Sequence, residues 1–316
     1  MRCRRRSFLA AGLGWLALDP VMAQSPIVPE GARLEKLAGG CRFTEGPACD
    51  AAGNVYFSDN PNNRIMLYTR GGELRVWKQP ARSANGMMFD RQGRLITCNA
   101  QNAPDGRTVT RYERDGSVTL LASHYQGKRF NSPNDLCIDR HDRIYFTDPR
   151  YGAADDLEQD RRAVYRIDRP GEVVRVIDDV ENPNGMAITP DNLTLYVADN
   201  NPAPGGARTL IAYDIRPDGR CVRRKVLHDF SPSRGIDGMR VDVAGNVYAT
   251  AETGPRSGVY IFAPDGKQIG FIPTPEDATN CTWGGPDLKT LYITAGTSLY
   301  RIRLDAQGYL VYPRPR

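Results

Sequence analysis

Six oxygen-bearing side chains recur along this chain at a fixed distance ahead of a β-rich word. Glu45 lies eleven residues before Tyr56, Asn85 eleven before Ile96, Asn134 eleven before Tyr145, and Asp237 eleven before Tyr248. Asn184 and Asn280 lie twelve before Tyr196 and Tyr292. Two carboxylates among four amides form a donor set for a hard divalent cation. The negative charges balance the ion, and amide carbonyls add ligands without excess charge. Calcium, which takes about six to eight oxygens in flexible geometry, fits foremost. Magnesium or manganese fits the same chemistry, whereas zinc usually takes His or Cys, although carboxylates can hold it. A cation so held polarises a carbonyl or phosphoryl oxygen and acidifies a bound water. Asp237 or Glu45 beside it could serve as general base. The same groups could instead bond channel water and cap strands, which needs no metal.

Other catalytic constellations are poorly supplied. Of the three histidines, His141 in an Arg-His-Asp turn and His228 after the outer run Lys225-Val226-Leu227 read as surface residues, while His124, ahead of the Asn134 loop, is less readily dismissed. No Gly-x-Ser-x-Gly elbow, phosphate-binding Walker loop or Cys-x-x-Cys pair occurs.

The elements that must position the six polar residues are short strands. The words are Val55-Tyr56-Phe57, Leu95-Ile96-Thr97, Ile144-Tyr145-Phe146, Leu195-Tyr196-Val197, Val247-Tyr248-Ala249 and Leu291-Tyr292-Ile293. Turn signals such as Ala52-Gly53-Asn54 and Ala244-Gly245-Asn246 precede them. A second strand pair with its own turn follows, as in Val109–Tyr112, Asp115-Gly116 and Val118–Leu121. Short β-rich runs at this spacing, without a long 3.6-residue period, predict an all-β chain. A four-stranded unit repeated six times predicts a six-bladed β-propeller. Equivalent residues then converge at one mouth of its central channel. Residues 33–37 alternate and are expected to complete the last blade's sheet. The polar loop 149–162 follows the third word, and Tyr151-Gly152 at its base is placed to overhang the channel. A Pro/Gly-rich loop spans 201–207.

Residues 1–23 read as a cleaved twin-arginine signal peptide: Arg5-Arg6-Ser7-Phe8-Leu9, a short apolar run, then Val21-Met22-Ala23. The expected location is periplasmic or exported. The apolar run is far short of the ~20 residues of a membrane span. Removing four arginines and one aspartate lowers the net charge from +5 to +2, too mild to suggest nucleic acid. The remaining 293 residues allow about 49 per blade, so residues 24–316 read as one propeller domain. Six of the seven cysteines remain. Cys98 and Cys137 read as buried fillers, and the short separation of Cys41 and Cys49 would allow a disulfide.

Over residues 40–304 the chain resembles the senescence-marker-protein/gluconolactonase family of six-bladed propellers. The resemblance rests on Glu45-Gly46-Pro47, Phe57-Ser58-Asp59, Asn131-Ser132-Pro133-Asn134-Asp135, Phe146-Thr147-Asp148-Pro149, Pro183-Asn184-Gly185-Met186, Asp237-Gly238-Met239-Arg240-Val241-Asp242 and Thr279-Asn280-Cys281-Thr282-Trp283-Gly284-Gly285-Pro286-Asp287. It implies one divalent cation on Glu45, Asn134, Asn184 and Asp237, and hydrolysis of a small-molecule sugar lactone such as glucono-1,5-lactone. Asp237 would help activate water, and Asn85, Arg129, Asn131 and Tyr151 would contact substrate. A monomer or dimer is expected. One departure stands out: Thr97-Cys98-Asn99-Ala100 replaces a Thr-Cys-Glu-His word common in bacterial members. A charged pair has become neutral, which leaves the substrate open. Phosphoester or organophosphate hydrolysis, as in propellers resembling diisopropylfluorophosphatase, and non-enzymatic sugar binding are the alternatives.

Overall fold

The computed structural model describes residues 27–314, so the proposed signal segment lies outside the described residues. Six four-stranded antiparallel sheets are arranged as a six-bladed β-propeller. The innermost strands of blades one to six are Thr44–Cys49, Ala84–Phe89, Leu136–Ile138, Pro183–Ile188, Met239–Val241 and Ala278–Gly284. Each β-rich word forms the second strand of its blade, and its residues are buried on both faces except at the half-buried Tyr56 of blade one. Val55, Phe57, Tyr145, Phe146, Tyr196 and Tyr248 are all within 1 % of full burial. Among the described residues the only helical turns are two short 3-10 segments, Asn60–Asn62 and Gly254–Arg256.

The ring closes as the alternation of residues 33–37 predicts. Glu35–Ala38 pairs antiparallel with Ser298–Arg303 and supplies the outer strand of blade six. Neighbouring blades then pack through apolar faces. Trp283 is fully buried, stacks edge-on against Tyr248 at 4.8 Å, and donates its indole N–H to the Val241 carbonyl at 2.8 Å. The six cysteines of the described residues are free thiols. Cys41 and Cys49 do not pair; they share an apolar cluster with Val55, Phe57 and Met66.

The chain after blade six crosses one end of the channel. Gly308 bridges to Asp242, and the Tyr309 N–H donates to the Val241 carbonyl at 3.0 Å. A Cβ on Gly308 would lie 1.9 Å from the Trp283 ring, so only glycine passes there. Tyr309, Leu310 and Val311 line a small apolar void at this end with Arg240. The opposite mouth is open.

Candidate active site

Bulged inner strands aim the polar residues at the open mouth. The inner-strand register slips between Glu45 and Ala48, Ala84 and Met87, Pro183 and Met186, and Ala278 and Asn280. Such bulges twist a strand and redirect a side chain. In blades three and five the inner strand begins two residues after Asn134 and Asp237. A backbone relay links the bulges. Gly86 N donates to Asn134 O at 2.7 Å, Gly185 N to Asp237 O at 2.6 Å, and Gly238 N to Thr279 O at 2.7 Å. The blades approach so closely that a Cβ on Gly185 would lie 2.2 Å from Asp237 O.

Buried carboxylates at the ends of second strands hold the turns that lead in. Asp59 accepts the N–H groups of Arg42 and Phe43, Asp148 those of Asn131 and Ser132, and Asp199 those of Glu181 and Asn182, all at 2.7–3.2 Å. Burial pushes the Asp148 carboxyl up to about 7 against the pull of its two N–H donors. Blade two has Asn99 at this place. Its side chain bonds Thr97, Thr108 and Thr110 within its own blade and turns away from the mouth.

The mouth opens into a cavity of about 410 Å³. Glu45, Asn85, Asn134, Asn184, Asp237 and Tyr151 line it, as do Ala100, Gln101, Asn102, Asn60, Asn200 and Arg234. Asn280, the sixth ring residue, lies beneath this wall. Its amide bridges Glu45 Oε2 at 3.1 Å and Asp135 Oδ2 at 3.4 Å. Asn131 is buried to the side, where its amide donates to the carbonyls of Asp148 and Arg161 at 3.3 and 3.1 Å. Arg129 stands outside the cavity. It belongs to a short hairpin, His124-Tyr125 with Lys128-Arg129, and pairs with Glu158 over a separate surface groove. None of the three histidines reaches the cavity.

Tyr151 does overhang it. Its hydroxyl accepts Asn184 Nδ2 at 2.8 Å and donates to the Asn200 carbonyl at 3.2 Å. The loop beneath is anchored by Arg150, which bonds the Asn131 carbonyl at 3.1 Å and pairs with Asp156. Burial, reinforced by the Asp237 charge, pushes the Tyr151 phenol well above its ordinary range.

The two carboxylates differ in surroundings. Glu45 is almost fully buried. Its Oε2 accepts Gly46 N at 2.6 Å as well as Asn280. Burial first, then the charges of Asp237 and Asp135, hold its carboxyl well above the ordinary value. Asp237 is also raised by burial, but Arg234 opposes the rise. Asp237 Oδ1 accepts Asn184 Nδ2 at 2.9 Å, and its Oδ2 takes the Arg234 guanidinium. Arg234, three residues upstream, is the one cationic side chain in the wall. Sequence periodicity missed it because it lies outside the ring positions; its signal was a positive charge in the turn that delivers Asp237.

This arrangement fits a cation. The buried Glu45 and the half-buried Asp237 repel each other, and Asn85 Oδ1 is buried without a donor. Among the described residues no group of three or more His, Cys, Asp or Glu could hold a metal. Glu45, Asn134, Asn184 and Asp237 are instead two acids and two amides, a set suited to a hard ion.

The site is thus a well at one mouth of a six-bladed propeller, lined by amides and two acids. The chain belongs to the SMP-30/gluconolactonase/LRE-like family, whose model matches residues 43–297. It is 29% identical over 305 residues to a gluconolactonase of Zymomonas mobilis, covering 87% of this chain and 82% of that protein. It is 32% identical over 259 residues to a pentonolactonase of Haloferax volcanii, covering 80% and 81%. The solved gluconolactonase of Xanthomonas campestris superposes with a TM-score of 0.77 at 34% identity, covering 86% of this chain and 89% of that one.

Proposed function

We propose that this chain hydrolyses sugar lactones with the help of one divalent cation. The observation that carries the reading is the composition of the well. Asn60, Asn85, Gln101, Asn102, Asn134, Asn184 and Asn200 present amides, and only Glu45 and Asp237 present acids. Amides donate and accept, which suits a ring bearing several hydroxyls. The gluconolactonase and pentonolactonase relatives agree with this substrate class.

Glu45, Asn134, Asn184 and Asp237 would hold the cation, which supplies Lewis-acid polarisation of the lactone carbonyl. Asp237 is the proton acceptor. It faces the cavity, and burial lifts its carboxyl towards the range useful to a base. Water adds to the carbonyl carbon and gives a proton to Asp237. The ring C–O bond then breaks, and the departing alkoxide recovers a proton. The product hydroxy acid ionises, so turnover releases acid. Tyr151 and Asn184 orient Asp237 through one chain of hydrogen bonds.

Export through residues 1–23 belongs to the same proposal, with the mature protein expected in the periplasmic fraction. Among the described residues no helix is long and apolar enough to cross a membrane.

The decisive experiment is a pH-stat rate of glucono-1,5-lactone opening by chelator-stripped protein, resupplied in turn with calcium, magnesium, manganese and zinc. Spontaneous opening is subtracted. Restoration by a metal is expected. A folded protein inactive on aldonolactones with every ion would overturn the reading.

A further inference from the structure

We infer that Arg234 sets the cation preference of this site by keeping one oxygen of Asp237 occupied. The inference rests on the cation site proposed above and concerns which ion that site selects.

The two oxygens of Asp237 have different neighbours. Both accept hydrogen bonds, but Oδ2 is held by the charged Arg234 guanidinium, whereas Oδ1 accepts the neutral Asn184 amide at 2.9 Å, the weaker competitor for a cation. Arg234 has little freedom to leave. Its Nη1 donates to the Ala278 carbonyl at 2.9 Å and to the Glu252 carbonyl at 3.3 Å. Its own carbonyl accepts Glu252 N at 3.2 Å, while Asp237 N donates to Thr250 O at 2.8 Å. Both ends of the turn are therefore tied to one edge of blade five. Gly235 lies between them, and a Cβ there would meet Asn200 Oδ1 at 3.0 Å and the Arg208 side chain at 3.1 Å. The turn is clamped with arginine and aspartate facing each other.

A carboxylate so clamped would turn Oδ1, rather than both oxygens, to a metal. Glu45 is in the same position, because its Oε2 already accepts Gly46 N and Asn280 Nδ2. With one oxygen each from Asn134 and Asn184, the protein supplies about four, leaving about two positions for water or substrate. Calcium prefers more ligands, often from a bidentate carboxylate, whereas a small ion takes near-octahedral, single-oxygen contacts and retains water. The clamp thus favours magnesium or manganese over calcium. Release of Asp237 Oδ2 would allow bidentate contact and restore calcium.

The test is calorimetric titration of chelator-stripped protein with Mn²⁺ and with Ca²⁺, for the wild type, Arg234→Ala and Arg234→Lys. Arg234→Ser serves should the alanine variant not fold. The wild type is expected to bind Mn²⁺ at least as tightly as Ca²⁺. Arg234→Ala should move the ratio of dissociation constants about tenfold or more towards calcium. Arg234→Lys keeps the charge but loses the fork that grips the Ala278 and Glu252 carbonyls together with Asp237, and should move the ratio in the same direction by less than alanine does. Equal strengthening of both ions in Arg234→Ala would mean that the arginine acts only as a nearby charge, and would overturn the inference. An unmoved ratio in a folded variant would do the same. Failure of the wild type to bind either ion would instead remove the cation site itself.

Discussion

The channel contains two aspartate–arginine pairs, and they do opposite work. Asp135 and Arg240 lie deep, with side chains 1 % and 3 % exposed and a closest approach of 3.4 Å. Asp237 and Arg234 lie at the mouth, 13 % and 24 % exposed. The deep pair faces no solvent. Arg240 reaches it from the closed end, donating also to the Met239 carbonyl at 2.7 Å. Asp135 fixes the Leu136 N–H at 2.8 Å and Asn280 above it. The mouth pair touches the well. The same two residue types therefore make a structural bolt where both side chains are buried and an addressable acid where a ligand can enter. Burial alone separates the roles.

The largest effect should come from breaking the deep pair. Arg240→Met leaves Asp135 without its cation in a buried site, which costs about 3–5 kcal/mol. Denaturant melting should show that loss, and adding Asp135→Asn should recover part of it. Recovery of nothing would mean that Arg240 acts through packing alone. The mouth pair should behave conversely. Asp237→Asn is expected to lower lactone turnover at least about 100-fold while the melting transition stays close to wild type. Collapse of the fold in that variant would erase the contrast.

Smaller effects sharpen the boundary between them. Tyr151→Phe removes one partner from the Asn184 amide and one from the Asn200 carbonyl. A neutral hydrogen bond of this kind is worth about 1 kcal/mol, so kcat/KM should fall by about five- to tenfold. Arg129→Ala should change kcat/KM by less than about twofold, since its pair with Glu158 is exposed and outside the well. A large loss there would extend the active site beyond the mouth.

Much of this was legible in the sequence, for a physical reason. Each blade repeats one requirement, a polar residue at the end of a bulged inner strand, so the ring could be counted from Glu45 to Asn280. Five of those six residues line the well. Asn280 does not, because its amide is drawn down between Glu45 and Asp135. Adjacency along the chain misleads more often than periodicity. Arg129 and Asn131 stand beside the Asn134 turn in sequence, yet a short hairpin carries one outward and the Asp148 carboxylate draws the other's backbone inward. Arg234 was invisible because ion pairing across a turn has no period. The Asn99-Ala100 departure divides in space: Asn99 serves its own blade, and Ala100 lines the well. The replaced position that meets substrate space is thus a methyl group.

The outer strand of blade six is made first and its partners last. Glu35–Ala38 leaves the ribosome early and waits, unpaired, until Ser298–Arg303 has been made. The same seam runs through the well. Thr44 N reaches Gly296 O at 2.9 Å, Thr279 Oγ1 reaches Thr44 O at 2.8 Å, and Asn280 holds Glu45. No nascent fragment short of the final blade can assemble the acid floor. Closing so long a loop is slow, and until then two sheet edges stand open to other chains. The pocket therefore first exists only when the two ends of the ring have met.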